Sequence, residues 1–171
     1  MKLPLLTSFF LAAALHAQTA SFTPIGSACS APGEPTPAIG AVGLPQIGTS
    51  FDVTYSGPNR AMSSAQQSVQ PFLLTGFNLY ASPIVVPVTL FFAQPPGCTV
   101  YVQTDFVLNT PLDASGRAFI PSVTLRVPND PRLLGASWFH QWFALYTQCG
   151  FAGCNPMWVI TSDAAIVSVG L

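Results

Sequence analysis

The stretch that decides the fold class is residues 119–127, which reads FIPSVTLRV. Apolar and polar side chains alternate along it, and in an extended chain successive side chains point to opposite faces. One face then carries Phe119, Val123, Leu125 and Val127, and the other carries Ser122, Thr124 and Arg126. This pattern predicts a β-strand with one buried face and one face in water.

Similar short runs recur along most of the chain. Residues 51–55, FDVTY, alternate cleanly, and further apolar runs lie at 72–80, 87–92, 98–104, 137–147 and 158–169. Turn signals such as Gly57-Pro58-Asn59 separate the runs, and no long helical period is present. Residues 60–70 form either a short helix or a polar edge strand. The spacing predicts an all-β fold, an antiparallel β-sandwich of Greek-key or jelly-roll type with about seven to nine strands.

The first seventeen residues have the pattern of a signal peptide. Lys2 precedes an apolar run at residues 3–15, and Ala17 is a small residue suited to cleavage before Gln18. The apolar run is shorter than the roughly 20 residues that a membrane-spanning helix needs. We therefore expect a secreted protein, outside the cell, on its surface or in the periplasm, with no membrane span.

Three segments follow from this interpretation: a signal peptide at 1–17, a leader at 18–48 and a β-sandwich domain at 49–171. The leader is dense in proline and glycine, which interrupt both helices and strand ladders. We expect it to be extended on the surface without regular secondary structure. The remaining length is sufficient for one domain with a substantial core.

The chain is almost free of charge. Charged residues make up 6% of the sequence, whereas soluble domains average about 25%. The only lysine is Lys2, so the predicted mature protein has arginine as its sole strong base. Four scattered arginines cannot form the basic surface that nucleic acids require. A surface with so few charges favours protein partners or self-association.

Four cysteines in an exported protein predict disulfides. Three connectivities are open, and the sequence alone does not choose among them. We favour Cys149 with Cys154, because Gly150 and Gly153 give the loop between them conformational freedom. The remaining pair, Cys29 with Cys98, would tie the leader to the domain. A zinc site is disfavoured because paired C-x-x-C spacings are missing.

The patterns of known catalytic and metal sites are weak in this sequence. Asn109, Asp113, Ser115 and Gly116 bring oxygen ligands together, but the spacing fits a hairpin turn better than a calcium loop. His140 is the only histidine of the predicted mature chain, and no serine lies in a G-x-S-x-G turn. We therefore predict no enzyme activity, no metal and no cofactor.

Residues 138–146, WFHQWFALY, are apolar on both faces of a predicted strand. The candidate ligand-binding residues are those of one face: Trp138, His140, Trp142 and Tyr146. Trp138 and Trp142 are four residues apart, so their indoles would stand roughly 13–14 Å apart on one face, where both could contact the rings of one polysaccharide chain. Three interpretations stay open: the strand is covered on both faces, it binds a ligand, or it contacts a protein.

Several motifs occur in an order that resembles a known family. They are Gly26-x-x-Cys29, Pro37-x-Ile39-Gly40-x-x-Gly43-x-Pro45-x-x-Gly48-x-x-Phe51, Pro96-Gly97-Cys98, Asp113-x-x-Gly116, and Pro128-Asn129-Asp130-Pro131-x-Leu133-x-Gly135 with Gln141. Over nearly the whole mature chain they resemble an uncharacterised family of exported bacterial β-rich modules with no established activity. Such modules often form terminal domains of larger secreted proteins. The resemblance implies the pair Cys29–Cys98, but it explains neither Cys149 and Cys154 nor the aromatic strand.

These observations favour a non-catalytic structural or interaction module of the bacterial cell surface or extracellular matrix. Protein partners or self-association are the leading expectation, because the chain has little charge and many strands with pairing edges. The alternative is a carbohydrate-binding module in which the aromatic strand contacts a polysaccharide. A hydrolase ranks third.

Overall fold

The computed structural model describes residues 18–58, 67–87, 95–110, 121–150 and 153–171, with the backbone alone at 67, 68, 149, 150, 153 and 154. These residues form ten β-strands and one 3₁₀ turn, Pro131–Leu133. The strands are β1 (Ser21–Ile25), β2 (Ala38–Val42), β3 (Ser50–Ser56), β4 (Gln67–Gly76), β5 (Asn78–Val85), β6 (Thr99–Gln103), β7 (Phe106–Asn109), β8 (Ser122–Arg126), β9 (Ser137–Gly150) and β10 (Gly153–Ser168). No helix among the described residues is long and apolar enough to cross a membrane.

Two antiparallel sheets pack face to face. The larger sheet has the strand order β1-β10-β9-β4-β7, and the smaller has the order β2-β3-β8. The predicted all-β antiparallel sandwich is confirmed. The structure has more strands than predicted, partly because the apolar run at 72–80 divides at Phe77 into β4 and β5.

The main core lies between these two sheets. Phe51, Val53 and Tyr55 point inward from β3, and each is at most 3% exposed. They belong to one buried cluster with Leu73 of β4 and Trp142 of β9. Burial of these large apolar side chains is the main favourable contribution to the stability of the sandwich.

β8 confirms the alternation from which the fold class was predicted. Val123 and Leu125 pack against the core cluster, while Ser122, Thr124 and Arg126 are exposed. β8 pairs with β3 in a register that places Leu125 opposite Phe51 and Val123 opposite Val53. Residues directly opposite in an antiparallel pair share a face, so this register directs both apolar sets into the core.

The leader contains regular structure, which differs from the sequence prediction. β1 pairs with β10 and β2 pairs with β3, so the leader adds one strand to each sheet. Pro24 lies in β1 and has no backbone N–H to donate to a neighbouring strand. An edge strand tolerates a proline, because one side of its backbone has no partner strand. The Ile39 N–H of β2 donates to Oδ1 of Asp163 over 3.0 Å. The leader is therefore fastened to both sheets.

A third layer covers part of the outer face of the larger sheet. β5 and β6 form a two-stranded sheet, and β6 crosses β9 at Gln141, which is fully buried. Gln141 Oε1 accepts from the Tyr101 N–H at 2.8 Å, and Nε2 donates to the carbonyls of Thr99 and Ser162 at 2.8 and 2.9 Å. The second face of the aromatic strand is thus partly covered by β6.

A disulfide between Cys29 and Cys98 joins the leader to the start of β6. The Cys29 N–H donates to the Thr161 carbonyl at 2.9 Å, and the Thr161 N–H donates to Cys29 Sγ at 3.2 Å. The pair therefore ties three parts of the chain together. Cys149 and Cys154 lie opposite each other in the β9–β10 ladder. Their side chains lie outside the described part of the structure, so their bond stays a prediction.

Three other sequence predictions fall wholly or partly on residues that are not described. They concern residues 60–66, the run at 88–92 and the turn or calcium loop at 113–116. The segment predicted as a short helix or a polar edge strand was 60–70, and its last residues, 67–70, belong to β4.

Candidate functional site

The even-numbered side chains of β9 point toward the smaller sheet. Trp142 and His140 are fully buried, Tyr146 is 3% exposed, and Trp138 is half-buried. Trp142 packs edge-on against Tyr55, with ring centroids 5.6 Å apart. Its indole Nε1–H donates to the Thr54 carbonyl at 2.9 Å. Trp142 is therefore an interior residue whose polar atom is satisfied by the opposite sheet.

The four predicted ligand-binding residues do not form one exposed surface in this structure. Tyr146 stacks on Trp158 at a centroid distance of 5.0 Å. Trp138 contacts His140 at the other end of the strand, in an edge-to-face arrangement at 6.3 Å. The buried Trp142 lies between these pairs, so Trp138 and Trp142 are not presented side by side to solvent.

Trp138, His140 and Thr75 form a chain of hydrogen bonds on the inner face of the larger sheet. Trp138 Nε1 lies 2.7 Å from His140 Nε2, and His140 Nδ1 lies 2.9 Å from Thr75 Oγ1. Thr75 and His140 are directly opposite in the β4–β9 ladder. Burial lowers the pKa of His140 from its ordinary 6.5 to about 4. The imidazole is therefore neutral at physiological pH, because desolvation disfavours its charged form.

An open cleft of about 390 Å³ adjoins this chain of hydrogen bonds. It lies where β8 of the smaller sheet faces β4, β7 and β9 of the larger one. Thr75, Trp138 and His140 line one side of it, and apolar side chains line most of the rest, including Phe77, Phe106, Leu125, Val127 and Leu133. The sequence indicated Trp138 and His140, but it did not indicate that they meet Thr75 at a cleft.

Exposed aromatic residues lie at the mouth of the cleft. Phe77 and Phe106 are 58% and 56% exposed, and their rings meet edge-to-face at 6.4 Å. The Phe77 N–H donates to Asp105 Oδ2 at 2.9 Å, and the Asp105 N–H donates to the Thr75 carbonyl at 2.9 Å. These bonds hold the turn that presents both phenylalanines. The sequence patterns did not single out these two phenylalanines, although the uncharged run FVLN directly after Asp105 was a signal for Phe106.

Phe106 and Val107 lie on β7, which is an edge strand of the larger sheet. Val107 is 54% exposed, and no described strand pairs with the outer edge of β7. β7 contains no proline and no charged residue, which are two common protections of strand edges. An apolar edge of this kind is suited to pairing with another strand.

The other three edges of the two sandwich sheets are protected. β1 carries Pro24, β2 has its Ile39 N–H bound by the Asp163 carboxylate, and β8 carries the exposed Arg126. Proline removes a donor from the edge, and a charged side chain opposes desolvation when a second strand approaches. Among the described strands, β7 is therefore the least protected edge of the two sandwich sheets.

A second cavity, of about 440 Å³, lies on the outer face of the larger sheet. Phe72 and Phe143 pack edge-to-face there at 6.5 Å, beside Val100 of β6. All but one of its lining side chains are apolar, and the exception is Thr104. This cavity is a space between the larger sheet and the covering layer of β5 and β6. None of the predicted site residues lines it.

Charged groups are few and lie away from the cleft floor. Arg132 Nη2 lies 2.7 Å from Asp130 Oδ2, and these bonds lower the pKa of the Asp130 carboxyl. Within the described ranges, no group of three or more His, Cys, Asp or Glu side chains could hold a metal ion.

The comparisons add no relative: no family model, curated protein or solved structure matches this chain.

Proposed function

We propose that this protein is an exported, non-catalytic interaction module that self-associates through the edge of β7. The observation that carries the proposal is the exposure of Phe106 and Val107 on an edge strand without proline or charge. Export rests on the predicted signal peptide, and the Cys29–Cys98 disulfide is typical of exported proteins. A cell surface or an extracellular matrix is the setting in which such an assembly would act.

The state of His140 supports a non-catalytic role. It is fully buried, and its two ring nitrogens are bonded to Trp138 and Thr75. A general base must reach the proton that it removes. This histidine, the only one in the predicted mature chain, has no free nitrogen to do so.

Antiparallel pairing of two β7 strands about a two-fold axis is self-complementary. Residues directly opposite share a face, so the pairing places Val107 opposite its own copy and Phe106 opposite Leu108 of the second copy. Asp105 then lies opposite Asn109, an uncharged amide. The two Asp105 carboxylates would stand about 13 Å apart along the strands. This exceeds the Debye length at physiological ionic strength, so their repulsion is weak.

The pairing strands are short, so we expect a weak association that depends on protein concentration. Interfaces of small area belong to the transient class. Phe77 lies beside Phe106 and would enlarge the apolar contact. In a matrix or at a membrane surface, high local concentration would compensate for low affinity.

Light scattering coupled to size-exclusion chromatography tests the proposal on the oxidised mature protein, residues 18–171, over a concentration series. We expect the mean mass to rise with concentration. Val107→Lys should restore a monomer, because a charge at the centre of the pairing would have to be desolvated.

Val42→Lys and Val85→Lys are the matched controls, since these valines are 64% and 60% exposed on β2 and β5. Neither change should alter the association. A wild-type protein that stays monomeric at every concentration contradicts the proposal. So does a Val42→Lys variant that dissociates as completely as Val107→Lys, because the contact would then lie elsewhere.

A further inference from the structure

The hydrogen bonds beside the cleft have only one consistent direction. The indole nitrogen of Trp138 can only donate, so Nε2 of His140 must accept and carries no proton. A neutral imidazole then carries its proton on Nδ1. Nδ1–H donates to Thr75 Oγ1, which is 2.9 Å away. The chain therefore runs from Trp138 through His140 to Thr75.

This direction leaves the Thr75 hydroxyl with a proton to donate. Its oxygen accepts from His140, and the bond to His140 is the one hydrogen bond that the structure gives this hydroxyl. Thr75 is half-buried and lines the cleft. A hydroxyl donor at an apolar surface is stabilised by an acceptor atom, because an unmatched donor away from water is costly.

We infer that the cleft binds a small, neutral, mainly apolar molecule through one acceptor oxygen, such as a carbonyl, that takes the Thr75 hydroxyl proton. The walls fit the apolar part, since Phe106, Leu125 and Leu133 line the cleft. Pockets of about this volume, with few polar groups at fixed positions, are typical of small-molecule sites. The chemical class of the ligand is thus set by the single Thr75 hydroxyl donor and by the apolar lining of the cleft.

The electrostatics of the cleft favour a neutral ligand over an anion. His140 is neutral, so within the described part of the chain no positive charge lies beside Thr75 to offset the desolvation of a carboxylate. Arg126 lines the cleft only from the exposed end of β8. A carboxylate held by Arg126 would therefore lie in water at the margin of the cleft. Benzoate, which carries a carboxylate, tests for this mode of binding.

The site shares Phe77 and Phe106 with the proposed self-association, but its hydrogen-bond donor is separate from it. Thr75 points to the inner face of β4, whereas strand pairing would use the free backbone edge of β7. The two can be separated experimentally, because the monomeric Val107→Lys variant keeps every residue that lines the cleft and should still bind the ligand.

The test is an NMR titration of the oxidised mature protein with three probes of matched size: acetophenone, ethylbenzene and benzoate. We expect acetophenone to bind roughly three- to tenfold more tightly than ethylbenzene, which is the usual net contribution of one hydrogen bond. Benzoate should bind more weakly than acetophenone. The Thr75 methyl and the Trp138 indole N–H should shift on binding.

Two variants assign the effect to the hydroxyl. Thr75→Val keeps the shape and removes the donor, so acetophenone should lose its advantage over ethylbenzene. Thr75→Ser keeps the hydroxyl and should keep the advantage, which leaves the test decisive if the valine variant is poorly folded. Equal affinities for ketone and hydrocarbon in the wild-type protein would overturn the inference, as would tighter binding of benzoate or shifts at Phe72 and Phe143 in place of Thr75.

Discussion

Trp138 Nε1 lies 2.7 Å from Nε2 of His140, and this contact fixes the tautomer of the histidine. The indole is a donor only, so the bond exists only while Nε2 is unprotonated. Protonation of the imidazole would place two donors against each other in a buried position. The Trp138–His140 contact therefore requires a neutral His140, and protonation of His140 would disrupt the packing beside the cleft.

The pH dependence of stability should report the burial of His140. Its pKa is lowered to about 4 in the folded protein, from an ordinary value of 6.5. Between these values the unfolded chain binds more protons than the folded chain, so stability falls as pH falls through this window. The loss should approach about 3 kcal/mol near pH 4.

Chemical denaturation of the wild-type protein and of His140→Gln, measured from pH 7 to pH 4, isolates this effect. Carboxylates titrate in both proteins, so the difference between the two curves belongs to the imidazole. The free energy of unfolding should fall less steeply in the variant. Parallel curves would show that His140 has an ordinary pKa in the folded protein.

Trp142 should be the aromatic residue of β9 whose loss costs most. It is fully buried, and its indole bonds to the Thr54 carbonyl of the opposite sheet. Trp142→Ala should lower the free energy of unfolding by about 3–5 kcal/mol. Trp138→Ala should cost less, because Trp138 is half-buried. Thermal melts that place both variants at the wild-type temperature would contradict the interior position of Trp142.

Gly76 should be essential for the covering layer of β5 and β6. A Cβ at this position would collide with the backbone carbonyl of Gln103, which cannot move aside as a side chain can. Gly76→Ala should therefore separate the end of β6 from β4 and destabilise the fold by about 1–3 kcal/mol.

Gly40→Ala is the matched control, because an added Cβ there meets only the Thr54 hydroxyl, at 2.9 Å. Hydrogen exchange should show lower protection in β6 of the Gly76 variant and near-normal protection in the Gly40 variant. Unchanged protection of β6 after Gly76→Ala would exclude the close backbone approach.

The fold class could be predicted because its signal is local. Val53, Val123 and Leu125 alternate with polar neighbours, and a period of two is a property of the strand itself. The interior position of Trp142 was one of the predicted alternatives, since an aromatic strand covered on both faces was left open. The sequence did not distinguish core from surface, however, because both faces of β9 are apolar.

The features that the sequence did not predict depend on non-local contacts. Gln141 looked like a polar interruption, yet it is buried because β6 supplies partners for its amide from about 40 residues away in sequence. β1 and β2 were missed because proline and glycine weaken strand signals, which edge positions tolerate. The Thr75–His140 contact depends on the register of β4 against β9, which no local pattern encodes.

The proposed two-fold pairing of β7 places Val107 directly opposite its own copy, so Val107→Cys tests it most directly. Opposite residues in an antiparallel pair have Cα atoms roughly 4.5–5.5 Å apart, which suits a disulfide. Under mild oxidation, Val107→Cys should form a covalent dimer on a non-reducing gel, whereas Val85→Cys, on the exposed β5, should stay monomeric. A Val107→Cys protein that remains monomeric, or that cross-links no faster than Val85→Cys, would contradict the account.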